Sequence, residues 1–301
     1  MAKFDIEQKI TNDLITMLES GKTAPWDKPW HGRKGENGMP LRANGDEYQG
    51  INVLILWMTK EVKGFNSNQW MTFKQAKTLG ACVRKGETGS TVCFFKQLVV
   101  SDGQDAKGDD VKKAIPMIKA YTVFNLDQID GLPSKFTVTE DKDEYTPLTG
   151  ELAFANTFFE NTGATLDHGG DRAFYMPSQD RIQMPNFGDF KTVEGYYSTL
   201  FHELIHWTKT EDRCDRNFEG SKRFGGKGYA TEELVAEIGA CFITAKLGIE
   251  NSVRSDHASY IQSWLKALKN DKKWIFTASA KASQAVRYIE TLQVEEVEKV
   301  A

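Results

Sequence analysis

The sequence is poor in the residues that build thiol sites and membrane segments. Its four cysteines, Cys82, Cys93, Cys214 and Cys241, form no CxxC pair. That excludes a thiolate zinc site and a disulfide framework, and marks the cysteines as packing residues. The longest apolar stretch, near residues 50–58, falls well short of the ~20 residues that cross a bilayer. The first twenty residues carry charges throughout and lack the apolar centre of a secretory signal, so a cytoplasmic product with no membrane partner is expected. Histidine is scarce too: there are five in 301 residues, and two of them fall four positions apart.

What is present suits a globular protein. Eighteen Phe and seven Trp supply core material, and a chain of this length has room for two domains. The net charge of -4 hides an asymmetry. Residues 1–135 carry 19 Lys/Arg against 16 Asp/Glu, the remainder 19 against 26, and the stretch from Lys22 to Lys96 carries 12 against 6. The basic charge lies in the N-terminal half.

Apolar residues at Ile6, Ile10, Leu14 and Leu18 predict an amphipathic opening helix. Prolines and glycines then mark residues 23–50 as loop-rich. Helices are expected over 50–63 and over 72–79, where Thr72 can cap and Gly80 can stop the second. Two strands follow, at 91–100 and 120–126, with a polar loop over 101–113 between them. The acidic stretch 136–147 reads as a linker. Beyond it the pattern gives a helix at 148–161, a strand pair at 173–177 and 180–185, and helices over 192–208, 230–247, 256–268 and 276–292. The fold class is therefore α+β: an N-terminal α+β domain over 1–135, then a mostly helical domain over 148–301 with a small β-sheet.

The most specific signal is the run HELIH. Residues four apart project from one helix face, so His202 and His206 can hold one ion between their rings. Glu203 lies to one side, placed to take a proton from an attacking water. A catalytic zinc uses three protein ligands, and no third histidine follows at a suitable spacing. A carboxylate must complete the set. Glu233, with Glu237 four residues on to orient a ligand histidine, sits in an apolar helix where unpaired carboxylates are costly; Glu232 is the rival ligand. This arrangement resembles thermolysin-type gluzincins. Zinc is the expected ion, with another divalent ion such as manganese as the alternative. Tyr175 is the candidate donor to a developing oxyanion, with a buried core tyrosine as the plainer role.

The basic interval also holds four of the seven tryptophans. Cations interleaved with rings suit single-stranded nucleic acid, because cations meet phosphates while rings stack on bases. On that basis Trp26, Trp30, Arg33, Lys34, Arg84 and Lys85 are the candidate contacts. Trp57, Phe73 and Phe94 sit at core-like positions.

Several motifs in order carry a resemblance over nearly the whole chain. They are Pro25-Trp-Asp-Lys-Pro-Trp, Gly50-Ile-Asn-Val-Leu, Trp70-Met-Thr-Phe-Lys-Gln-Ala, Val83-Arg-Lys-Gly-Glu, Arg172-Ala-Phe-Tyr, HELIHWT and Tyr229-Ala-Thr-Glu-Glu-Leu-Val-Ala-Glu-Ile-Gly. In these the sequence resembles the ArdC-type antirestriction proteins of conjugative plasmids. The resemblance implies an N-terminal domain that binds single-stranded DNA, a zincin-like metallopeptidase domain after it, and protection of incoming plasmid DNA from host restriction. A DNA-recruited zinc metalloprotease that cleaves a host regulatory or restriction protein is the alternative.

Overall fold

Helices form where apolar residues recur three and four apart, and the opening segment shows it: Ile6, Ile10, Leu14, Met17 and Leu18 line the buried face of α1 (Ile6–Glu19). The structure, a computed structural model, describes residues 5–19, 38–104, 110–136, 150–218, 226–249 and 257–294, with backbone only for 95–104, 110–116, 227 and 257–263. Two compact units emerge. One comprises the described residues of Met1–Met39, Gln49–Ile51 and Glu140–Ala301; the other those of Pro40–Tyr48 and Asn52–Thr139.

The second unit holds α2 (Ile51–Lys63), α3 (Phe73–Thr78) and strands β1 (Leu41–Arg42), β2 (Gln69–Met71), β3 (Cys82–Val83), β4 (Ser90–Gln104), β5 (Asp110–Asn125) and β6 (Ile129–Asp130). Thr72 caps α3 through a reciprocal bond with Gln75, which satisfies amide groups the first turn leaves free. The main sheet runs β1-β2-β5-β4, parallel between β1 and β2 and antiparallel elsewhere, with β3 and β6 as a separate ladder. Met71, Ala76, Leu126, Ile129 and Phe136 form a core cluster here. Gly89 permits a close approach: a Cβ there would stand 2.4 Å from Thr122 Cγ2.

The first unit holds α1, α4 (Ala153–Glu160), β7 (Thr165–His168), β8 (Phe174–Met176), β9 (Arg181–Met184), α5 (Val193–Trp207), α6 (Lys227–Lys246), α7 (His257–Asn270) and α8 (Trp274–Thr291). Its sheet is ordered β7-β9-β8, with β8 an antiparallel edge. The fold is α+β, as the alternation of patterns suggests.

Four differences from the sequence reading have physical causes. Helix α1 groups with the C-terminal residues: Thr11 Oγ1 donates to Lys272 O at 2.9 Å, and Lys272 pairs with Asp5. The expected loop over 101–113 is mostly strand, with Ser101 opposite Lys112 and Gln104 opposite Asp110; backbone pairing sustains a ribbon even where its side chains are polar. Phe73 and Phe94 are not core residues but 55% and 51% exposed, whereas Trp57 is fully buried. The short strands β1, β2, β3, β6 and β7 carry too few residues for period-two alternation to register. The linker at 136–147 lies, apart from Phe136, outside the described residues. No helix among the described residues is long and apolar enough to cross a membrane.

Candidate functional site

Thr192 starts α5 by accepting a hydrogen bond from Gly195 N at 3.0 Å. About two turns later the helix becomes wholly buried, from Leu200 to Trp207, and His202, Glu203 and His206 lie within this stretch. Helix α6 packs alongside at close range, because Gly239 leaves room for Ile205: a Cβ there would meet the Ile205 side chain at 2.7 Å. This contact sets Glu232, Glu233 and Glu237 of α6 beside the two histidines of α5.

The ligand atoms converge. His202 Nε2 and His206 Nε2 are 3.1 Å apart, and the Glu233 carboxylate faces both, with Oε2 3.6 Å from His202 Nε2 and Oε1 3.6 Å from His206 Nε2. Three ligands at ~2.0–2.1 Å from one tetrahedral ion would be about 3.3 Å apart, so the triangle has the size of a metal site. His202, His206 and Glu233 form the group with ligand-like spacing among the described residues.

The other ring nitrogens face carboxylates. His206 Nδ1 is 3.1 Å from Glu232 Oε1, and His202 Nδ1 is 3.2 Å from Glu237 Oε1. A carboxylate only accepts, so in a neutral ring Nδ1 is the nitrogen that carries the proton, hydrogen-bonded to Glu232 in His206 and within reach of Glu237 in His202, and Nε2 keeps the lone pair. Two lone pairs and a carboxylate pointed at one spot repel unless a cation lies between them, and the residues fit a divalent ion for that reason. Burial pushes the Glu233 carboxyl up, but the charge that the His206 and His202 rings carry when protonated outweighs burial and brings it down.

Glu232, the rival ligand, is placed behind His206 instead. Burial raises its carboxyl, yet the hydrogen bond from His206 and the charge of Arg216 more than offset this and hold it low. Arg216 is the residue that sequence reasoning missed. Fully buried, it donates to both Glu232 oxygens (3.0 and 2.8 Å), to Thr208 Oγ1 (2.8 Å) and to Ile205 O (2.7 Å). A lone arginine in a loop has no periodicity to betray it; its only signal was a cation upstream of an acid-rich helix.

Glu203 is buried beside the triangle, and its Oε2 accepts from Tyr175 N at 2.9 Å. The Tyr175 hydroxyl, suggested as an oxyanion donor, donates instead to Asp180 Oδ1 at 2.8 Å, and Arg213 clamps the same Asp180. Burial, with Asp180 beside it, pushes the phenol up to about 12. In this structure Tyr175 thus reaches the site through its backbone. The Arg213 guanidinium also lies 3.6 Å over the Trp207 ring, fixing the end of α5 against β8 and β9.

The proposed nucleic-acid contacts divide. Trp26, Trp30, Arg33 and Lys34 lie outside the described residues. Arg84 is occupied: it pairs with Asp130 and Glu87 and donates to Asp127 O. Lys85 is exposed.

With this geometry in place, the similarities along the chain are informative. Residues 4–124 match the profile of the N-terminal domain of anti-restriction factor ArdC, and residues 153–281 match a zincin-like metallopeptidase profile. The crystal structure of the antirestriction protein ArdC from plasmid R388, metal-free, superposes with a TM-score of 0.80 at 43% identity over 96% of this chain and 98% of that one. The chain belongs to the ArdC antirestriction family. The Mn(II)-bound ArdC structure agrees, with a TM-score of 0.77 and 42% identity over the same spans. A Sinorhizobium fredii protein, y4eC, is 35% identical over 96% of this chain and 92% of its own length. A DNA primase TraC of Escherichia coli is 37% identical over 99% of this chain, which spans only 20% of that primase. Among the described residues of this chain, His202, His206 and Glu233 are the group whose spacing could hold a metal ion.

Proposed function

We propose that this ArdC family protein binds single-stranded DNA through its N-terminal domain, residues 1–135, and protects plasmid DNA entering a new host cell from restriction in the cytoplasm. We assign residues 148–301 as a metal domain in which His202, His206 and Glu233 hold zinc. The observation that carries the metal reading is the convergence of both Nε2 atoms and the Glu233 carboxylate within 3.6 Å. Similarity to ArdC, whose R388 form has been crystallised with Mn(II), supports a divalent ion, and the nitrogen-rich donor set favours zinc. Similarity over the N-terminal domain supports the DNA reading.

A divalent ion bound there supplies Lewis acidity, which polarises a carbonyl and makes water more acidic. The chain's own residues complete the chemistry. Glu232 and Glu237 hold the imidazoles in the tautomer that presents Nε2. Glu203 remains outside the ligand triangle, held by Tyr175 N–H, free to take a proton from water and return it to a leaving amine.

That last arrangement favours a second reading, in which the protein is a DNA-recruited metalloprotease acting on a host regulatory or restriction protein. A plasmid-transfer assay into restricting and non-restricting recipients separates the two. Glu203→Ala should retain metal and oligonucleotide binding. If it protects as well as the wild type, proteolysis plays no part and strand binding is the mechanism. If protection vanishes with both bindings intact, the protease reading prevails. Equal transfer of plasmids with and without the wild-type gene into restricting hosts would end the antirestriction proposal itself.

A further inference from the structure

We infer that the face of the β4–β5 ribbon carrying Phe94, Lys119 and Tyr121 is a docking surface for single-stranded DNA. The inference rests on the reading that this protein binds such strands, and it names the surface.

In an antiparallel pair, residues directly opposite share a face and successive residues alternate. Val92 is opposite Tyr121, and Phe94 is opposite Lys119. Ser90, Val92 and Phe94 therefore share one face with Val123, Tyr121 and Lys119. At its base this face is core, since Val92 and Val123 are buried. Two residues further along it emerges into solvent: Phe94 is 51% and Tyr121 36% exposed, and Lys119 is exposed as well.

A single exposed ring is ordinary. Two rings and a cation at adjoining positions on one strand pair are a pattern. Diagonal neighbours on such a face stand about 7–8 Å apart, about twice the 3.5–4.0 Å contact distance of carbon atoms, so one base can enter between the rings. Lys119 makes no ion pair among the described residues and can meet a phosphate, in contrast to Arg84, whose guanidinium is engaged by Glu87 and Asp130. Tyr121 is backed by the buried Tyr48, over whose ring the exposed Arg42 guanidinium lies 5.2 Å from the centroid. Lys119 thus stands directly opposite Phe94, and Arg42 lies over the ring behind Tyr121, so that cations accompany the rings as a polyanion with stacking bases requires. A duplex keeps its base faces stacked on one another and cannot use the rings, which points to unpaired DNA.

The test uses the full chain and a fluorescent oligo(dT), followed by anisotropy across a salt series. Phe94→Ala and Tyr121→Ala should each weaken binding about 5- to 150-fold, the range for loss of one stacked base. Lys119→Gln should flatten the slope of log K against log salt by about 0.7, one phosphate's share. Thermal melts confirm that the variants fold, as exposed positions should allow. Wild-type protein that ignores oligo(dT) at low salt overturns both this inference and the DNA reading on which it rests. Wild-type binding that all three variants reproduce, with unchanged slopes, overturns the surface assignment and leaves the DNA reading standing. Equal affinity for a duplex, lost equally in the variants, overturns the preference for unpaired strands.

Discussion

The α5–α6 pair and the β4–β5 ribbon handle polar and apolar groups in opposite ways. Around the metal triangle, charged side chains are buried and each is braced by another: His206 by Glu232, Glu232 by Arg216, Arg216 by Thr208 and Ile205. On the ribbon, rings that could have been core face water. A small cation is bound best by donors fixed in advance, since little ordering is left to be done on binding. A long flexible strand needs a platform that tolerates many sequences, and exposed rings offer one. The same chain therefore contains a rigid site and a permissive surface.

The contrast breaks most completely at the ligands. His206→Ala should weaken metal binding by more than the ~100-fold ceiling typical of an outer partner, read by calorimetric titration, while oligonucleotide affinity stays within about twofold. Arg216→Met comes next. It leaves Glu232 buried without its cation, at a cost of about 3–5 kcal/mol in urea-unfolding stability, and metal affinity should fall ~10–100-fold. Substitution at the helix contact is milder. Gly239→Val should cost about 1–3 kcal/mol through overpacking against Ile205, and Ile205→Ala in the same chain should recover part of the loss by making room.

The smallest effect concerns acid. The Arg213 hydrogen bond, working against burial, holds the Asp180 carboxyl below its usual range. Its stabilising share is thus present above about pH 4 and is lost as pH falls through the depressed folded value. Asp180→Asn should lower the melting temperature slightly at pH 7, where the pairing with Arg213 is intact, and approach the wild type as the pH falls, so that its melting temperature changes less steeply in that acid window. A variant that melts with the wild-type acid slope would remove Asp180 from this account.

How much of this could be read in advance follows from the range of each interaction. His202, Glu203 and His206 were legible because helical spacing is local: four residues along a helix is a contact. The acid-rich run of α6 was legible as a partner, but the order within it was not. Whether Glu232 or Glu233 completes the triangle depends on how α6 is rotated, which is set by the packing of Gly239 on Ile205 of another helix and by Arg216, outside either motif. Phe94 misled for a related reason. Strand alternation tells which side chains share a face, yet only the rest of the sheet decides whether anything covers that face. The extension of β4 and β5 through residues 101–104 and 110–113 was hidden by its polar composition, because backbone pairing leaves no mark on side-chain type.

The grouping of α1 with α7 bears on how the polypeptide is made. Thr11 waits 261 residues for the carbonyl of Lys272. At ~5–20 residues per second a ribosome takes roughly 13–50 s to supply it. Throughout that time the stripe Ile6, Ile10, Leu14, Met17 and Leu18 has no helix to lie against, whereas residues 52–139 can fold as soon as they emerge. The nascent chain thus holds an unsatisfied amphipathic helix beside a finished unit, and ribosome-associated chaperones have their natural target there.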